Sequence, residues 1–296
     1  MLMIKSLLIF FFISKLFAGN SLKIASYNTY NYLSMNRYYD GKYRPNYPKP
    51  EKEKKSLRDY IKKIDADVLG LQEIGSKGHL NELQLDLSAS DQNYPYQAFS
   101  YEPGRDRNLA FLSRFPIQQV KAHENLKLIG GYGKQEVLRG VLEIEIIYKA
   151  KPIKIFNIHL KSRHTSDSRD PESNKYRLKE AKTVLDLIYK RTDSGKRPYI
   201  LLGDLNDFPQ SETLRLFTQN QKSPMTQIIC IDSKGESWTH YYRKKNRYST
   251  LDYILFSKNH PFLENASGQI LRDRYYYKAS DHRPIFVEME SMKASK

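Results

Sequence analysis

Cysteine, acid and long apolar runs are all scarce in this chain, and each scarcity excludes something. Cys230 is the single cysteine among 296 residues. No disulfide can close within the chain, and no cysteine cluster can hold a structural zinc. Cys230 itself reads as a small buried side chain. The one marked apolar run, Leu7–Ile13, is too short to span a bilayer. Asp and Glu number 33 against 49 Lys and Arg, an excess of 16 positive charges with a pI near 9.6. Such a balance suits acidic partners: nucleic acid, phosphorylated sugars or an anionic membrane face. No internal repeat and no low-complexity block is present. Apolar content is ordinary at 40%, and the length fits one large α/β domain or two smaller ones.

What is present begins with a secretory pattern. Lys5 supplies a positive start, Leu7–Ile13 the apolar core, and Leu16-Phe17-Ala18 a candidate cleavage site. Residues 1–18 are expected to be a signal peptide directing export to the periplasm or the medium, an uncleaved anchor being the alternative. Residues 19–290 are then the functional domain and 291–296 a loose tail. With a lone cysteine and no evident docking segment, a monomer without a stable protein partner is expected.

The chain is organised around Tyr199 to Pro209. Tyr199-Ile200-Leu201-Leu202 reads as a buried strand, and it runs into Gly203-Asp204-Leu205-Asn206-Asp207. Residues two apart on an extended backbone point the same way, so Asp204 and Asn206 face one spot. A hard cation with its water, or a phosphate oxygen, fits there. A strand followed by an Asx turn is the plainer explanation.

Other strand ends repeat the pattern. Ser21–Asn28 reads as a strand ending on Asn28, followed by a long Tyr-rich loop from Thr29 to Lys49. Pro50 opens a helix with Leu57, Tyr60, Ile61 and Ile64 at helical spacing. Val68–Leu71 is a strand stopping on Gln72-Glu73, and Leu80–Leu87 a second helix. Strands are expected over Tyr96–Tyr101, Asn108–Ser113, Ile117–Ala122, Val137–Tyr148 and Pro152–Leu160, the last ending on His159. A polar loop over 161–175 precedes a long helix carrying Leu178, Ala181, Leu185 and Ile188. Thr250–Phe256 forms a strand bearing Asp252, and Asp281-His282 precedes a final strand, Pro284–Glu290. Each polar group alone has a dull account: a turn residue, a cap, a hydrogen-bonded core histidine. Six in one chain are hard to dismiss as coincidence.

In these stretches the sequence resembles the endonuclease/exonuclease/phosphatase superfamily, which includes deoxyribonuclease I. The matching segments are Ile24–Asn28, Asp67–Glu73, Asn108–Pro116, Asn157–Ser162, Leu202–Asn206, Leu251–Leu255 and Ser280–Pro284, in the family's order. The resemblance implies an α/β fold of four layers: two mostly antiparallel sheets face to face, helices outside, and the active site where strand ends meet. It implies Glu73 as the main Mg²⁺ ligand, with Asn28 beside it and Asp281 as a second acidic group at the metal. Asp204 and Asn206 would position the attacking water and a phosphate oxygen. His282 would work with Asp252, His159 would be the second histidine, and Glu102 is a candidate to orient it.

Those residue types suit phosphoester hydrolysis. A divalent cation offsets the charge that repels the nucleophile, and Mg²⁺ takes oxygen ligands while keeping waters; Mn²⁺ or Ca²⁺ is an alternative. An imidazole fixed by a carboxylate moves a proton near neutral pH. Arg107, Arg139, Lys161, Arg163 and Arg283 are candidates to hold further phosphates. The Tyr-rich loop and Arg272–Lys278 interleave aromatics with cations, as base stacking and backbone neutralisation require. The expectation is an exported metal-dependent phosphoesterase, a nuclease acting on DNA or RNA. Phosphatase or phosphodiesterase action on inositol phosphates or phospholipids is one alternative. Against inositol phosphates, Ser249–Tyr253 lacks the aromatic-cysteine-aspartate-arginine stretch of that branch. A non-catalytic nucleic-acid or surface-binding module is the other alternative.

Overall fold

The computed structural model describes residues 21–101, 104–131 and 135–290. The expected signal peptide, the expected tail and Glu102 lie outside the described residues. Alternation of side chains along each strand sorts apolar residues to two faces. Ile24, Phe111, Ile200 and Leu202 enter one core cluster, whereas their neighbours Ala25, Leu112 and Leu201 enter two others. Three apolar layers therefore separate four layers of structure.

One sheet has seven strands, in the order β12 (Cys230–Ile231), β16 (Ala266–Ile270), β17 (Ile285–Glu290), β1 (Ser21–Tyr32), β4 (Val68–Ile74), β6 (Asn108–Ser113) and β5 (Tyr96–Phe99). The other has six: β11 (Met225–Gln227), β15 (Asp252–Ser257), β10 (Tyr199–Asp204), β9 (Lys151–His159), β8 (Val141–Tyr148) and β7 (Ile117–His123). Two hairpins stand apart, β2 (Met35–Tyr39) with β3 (Lys42–Tyr47) and β13 (His240–Tyr242) with β14 (Arg247–Ser249). Helices α1 (Glu51–Ile64) and α2 (Lys77–Ser88) cover the outer face of the seven-stranded sheet through Leu57, Ile61, Leu80 and Leu83. Helices α3 (Asn174–Arg191) and α4 (Glu212–Thr218) cover the other sheet through Val184, Ile188, Leu214 and Phe217. None of the described helices is long and apolar enough to cross a membrane.

Two expectations need correction, and one unassigned span gains a helix. The Tyr-rich stretch from Thr29 to Lys49 is not a loop: β1 runs on to Tyr32 and the β2–β3 hairpin follows. The strand expected from Val137 begins at Val141, because Gly140 has φ +64° and a Cβ there would meet His123 O at 2.6 Å. The span between Pro209 and Thr250 holds α4, capped by Ser211, whose hydroxyl accepts from Leu214 N. A helix of seven residues carries too little periodicity to announce itself.

Candidate active site

The site follows from strand direction. Most neighbours in both sheets are antiparallel, but β1 runs parallel to β4, and β9 to β10. Parallel neighbours finish at the same edge. Asn28 therefore lies opposite Gln72, and His159 opposite Asp204. Antiparallel β15 starts at that edge and brings Asp252 opposite Asp204. Antiparallel β17 starts there too, so Asp281-His282 arrives just before it. All the acids, amides and histidines expected from the strand ends meet at one rim.

In the six-stranded sheet, His159, Asp204 and Asp252 form one row across adjacent strands, and all are buried. His282 Nδ1 lies 2.8 Å from Asp252 Oδ2. Asp204 Oδ2 lies 3.7 Å from His282 Nε2 and 3.5 Å from His159 Nε2, and accepts from Asn28 Nδ2 at 3.0 Å. Asp204 Oδ1 accepts from Asn206 N at 2.8 Å, and Asn206 Nδ2 donates to Leu160 O at 3.0 Å. Gly203 makes this packing possible: at φ +140° it passes so close to Ile158 that any Cβ would meet the Ile158 carbonyl at 2.0 Å.

Burial and neighbouring charge set the proton affinities. Burial pushes the Asp204 carboxyl up to about 7; Asp252 adds to the rise and His282 opposes it. Burial works against a charge on His282, but Asp252 and Asp204 overcome it and hold its pKa well above the ordinary histidine value. Burial, then Arg139, His282 and Arg107, keep His159 well below that value. The two histidines thus differ, one holding its proton tightly and the other neutral.

In the seven-stranded sheet the rim is less regular. Glu73 sits at φ +64°, and its Oε2 accepts from Asn31 N at 2.8 Å. Ser280 Oγ donates to Asn28 O at 2.8 Å, which holds the 280–283 segment against β1. Burial, then Asp281 and Glu73, raise the proton affinity of the Tyr30 hydroxyl. Asp281 Oδ1 is buried without a hydrogen-bond partner. An orphaned carboxylate oxygen one residue from the Ser280–Asn28 contact suits a hard divalent cation. Two further groups bring ligand atoms within 4.8 Å of one another: Asp204, Asp252 and His282, and His240, Asp281 and His282. His240 escaped sequence reading because its strand has three residues and no pattern around it.

The expected phosphate-binding cations divide. Arg139 donates to Leu160 O at 3.4 Å and, with Arg107, lies close enough to depress His159. Arg107 Nε donates to Asn31 Oδ1 at 2.8 Å, on the same residue whose N–H donates to Glu73. Lys161 folds onto its own loop, its ammonium donating to Ser162 O at 3.0 Å. Arg163 pairs with Glu172 at 2.6 Å and stacks on Phe208 at 4.1 Å. Arg283 is buried, paired with Asp232 at 3.2 Å and stacked on Trp238 at 3.8 Å, so it buttresses the 280–283 segment rather than offering charge to solvent. Tyr38 and Tyr43 on the β2–β3 hairpin, Tyr248 on β14, and Tyr275 and Tyr277 just before Ser280 are exposed. Arg274 and Lys278 lie over the Tyr275 ring, and Arg243 over Tyr277.

The sequence model of the Endonuclease/Exonuclease/phosphatase family matches residues 25–282. The chain belongs to that family. Escherichia coli K12 protein YbhP, described as uncharacterized, is 23% identical over 250 residues, covering 79% of this chain and 87% of its own. Among solved structures, Staphylococcus aureus beta toxin with bound magnesium ions is similar at a TM-score of 0.66 and 18% identity, covering 91% of this chain and 100% of that one. Sphingomyelinase C from Streptomyces griseocarneus is similar at 0.64 and 16%, covering 91% and 99%. At such identities the structural likenesses establish the fold: two large sheets flanked by helices. Family membership supports phosphoester hydrolysis.

Proposed function

We propose that the protein is an exported, Mg²⁺-dependent phosphodiesterase of nuclease type, acting as a monomer on DNA or RNA. One observation carries the chemistry: the Asp252–His282 pair at 2.8 Å, with Asp204 set between His282 and His159. Glu73, Asn28 and Asp281 would hold the ion. Bound there, a divalent cation supplies charge to offset the phosphoryl oxygens.

The chain's own residues do the rest. Asp252 fixes the His282 ring through Nδ1 and stabilises its positive form, so His282 meets an anionic phosphoryl oxygen as a proton donor. Asp204 holds its oxygens by bonds from Asn28 and Asn206 and, with a pKa about 7, takes a proton from an attacking water near neutral pH. His159, kept neutral, donates a hydrogen bond to the same phosphate without competing for the water's proton. Exposed tyrosines interleaved with arginines and lysines support stacking of bases and neutralisation of a polyanionic backbone. The N-terminal apolar run supports export.

A second reading, hydrolysis of phospholipid phosphodiesters, is favoured by the likeness to sphingomyelinase C. Purified protein with Mg²⁺ should be assayed on plasmid, single-stranded DNA, RNA, inositol phosphates and sphingomyelin. Cleavage of nucleic acid, abolished by chelator, is the expected result. Turnover of sphingomyelin alone would establish the second reading, and turnover undiminished in excess EDTA would refute metal dependence.

A further inference from the structure

His240 has no part in the chemistry above, yet the fold aims it at the same rim. The segments around it and around His282 run antiparallel: His240 forms an isolated bridge to His282, Tyr241 N donates to Asp281 O at 3.2 Å, and Arg283 N donates to Thr239 O at 2.6 Å. Residues opposite each other across an antiparallel bridge share a face. The two imidazoles accordingly lie 4.7 Å apart, tilted by 48°. His240 Nε2 is 3.7 Å from Asp281 Oδ2, a span that one cation about 2.1 Å from each atom can bridge. A ligand atom from His282 lies within 4.8 Å of both.

We propose that His240, Asp281 and His282 form a second cation site, one that takes a borderline transition ion such as Zn²⁺ and silences the enzyme when filled. Two imidazoles and one carboxylate are a zinc-type donor set, whereas Mg²⁺ prefers oxygen alone. Access separates this group from the other histidine–carboxylate cluster. Asp204, Asp252 and His282 are all buried and already engaged with one another. His282 is equally buried in this second group, but the His240 and Asp281 side chains are 17% and 35% exposed and open the group to an ion from solvent. The buried Asp281 Oδ1, which has no hydrogen-bond partner, marks unspent donor capacity at that site. Filling it displaces the proton of His282 Nε2 to solvent, with Nδ1 still held by Asp252, so that nitrogen leaves proton transfer, and the ion competes for Asp281 with the one expected at Glu73. Binding of zinc stands on the geometry alone; silencing rests on the function proposed above.

The test is calorimetric titration of the metal-free full chain with Zn²⁺, for the wild type, His240→Ala and His240→Gln. Thermal melts identify which variant is folded, and either folded one suffices. Loss of a ligand should weaken zinc binding at least about tenfold, and unchanged affinity would overturn the site. In parallel, Zn²⁺ should inhibit Mg²⁺-driven turnover in the wild type and spare the variant, whose zinc-free rate stays near that of the wild type. Equal inhibition in both would overturn the silencing role. Zinc held through His240 by a chain that hydrolyses none of the esters would keep the site and sink the enzyme reading.

Discussion

The two central parallel pairs, β1/β4 and β9/β10, make the same rim by different means. At the end of β9/β10 the ladder stays in register to the last residues, and His159, Asp204 and Asp252 stand directly opposite one another. At the end of β1/β4 the register slips after Asn28, and Tyr30, Asn31 and Glu73 all take positive φ. Each such non-glycine residue costs about 1–3 kcal/mol. The difference matches the work proposed for each half. Proton transfer needs side chains at fixed mutual distances, which a regular ladder supplies. Coordination needs oxygens re-aimed toward one point, which a bulge supplies. The 280–283 segment serves both, lending Asp281 to the irregular half and His282 to the regular one.

The largest expected effect tests the regular half. His282→Ala should lower turnover by about 10²–10⁴-fold with a much smaller change in KM, because its contribution belongs to the transition state. Asp252→Asn should resemble it, and the double variant should be little worse than either single one, since the 2.8 Å pair acts as a unit. Fully additive losses would separate the two residues. Normal turnover in His282→Ala would favour a binding module over an enzyme.

The halves are pinned together beneath the rim, and the next prediction cuts that link. Asn157 on β9 accepts from Gln72 Nε2 on β4 at 2.7 Å and donates to Leu71 O and Ala110 O, all buried. Asn157→Leu would strand those groups and should destabilise the fold by about 3 kcal/mol in denaturant titration. An unchanged midpoint would show that the sheets are held by apolar packing alone. Third in size is the irregular half: Glu73→Gln should raise the Mg²⁺ concentration for half-maximal activity at least about tenfold while saturated turnover recovers much of its value. Loss of turnover at every Mg²⁺ concentration would place Glu73 in the chemistry rather than in metal binding.

The same contrast explains what was legible in the sequence. His159, Asp204 and Asp252 could be read because regular strands carry their period to the final residue. The end of β1 could not: Tyr30 and Asn31 turn where a regular strand would continue, so the segment looked like loop. Strand order was invisible to spacing, and the layering came from family resemblance rather than from periodicity. His240 was missed because β13 has three residues and its meaning lies in a bridge across forty-two positions to His282. Arg283 looked like a phosphate ligand because its partners Asp232 and Trp238 are remote in sequence.

The smallest effect concerns acid, and it decides how a pH profile of the two halves should be read. His260 lies in the core against Phe256 and Phe262, its Nε2 buried without a partner, and burial lowers its pKa to about 4. The folded state then holds fewer protons than the unfolded state between about pH 6.5 and 4. His260 therefore leaves stability intact above pH 6.5 and lets it fall as pH drops through that window, by up to about 1.4 kcal/mol per pH unit. His159, also depressed, acts with the same sign. His260→Phe keeps a ring in the aromatic cluster and should flatten the fall of stability between pH 6 and 5 by roughly one proton's worth, read from denaturant midpoints. An activity loss in acid that disappears in His260→Phe would belong to the fold. One that persists in the variant would belong to the rim, where the Asp204 carboxyl gains its proton at about 7 and can no longer take one from water.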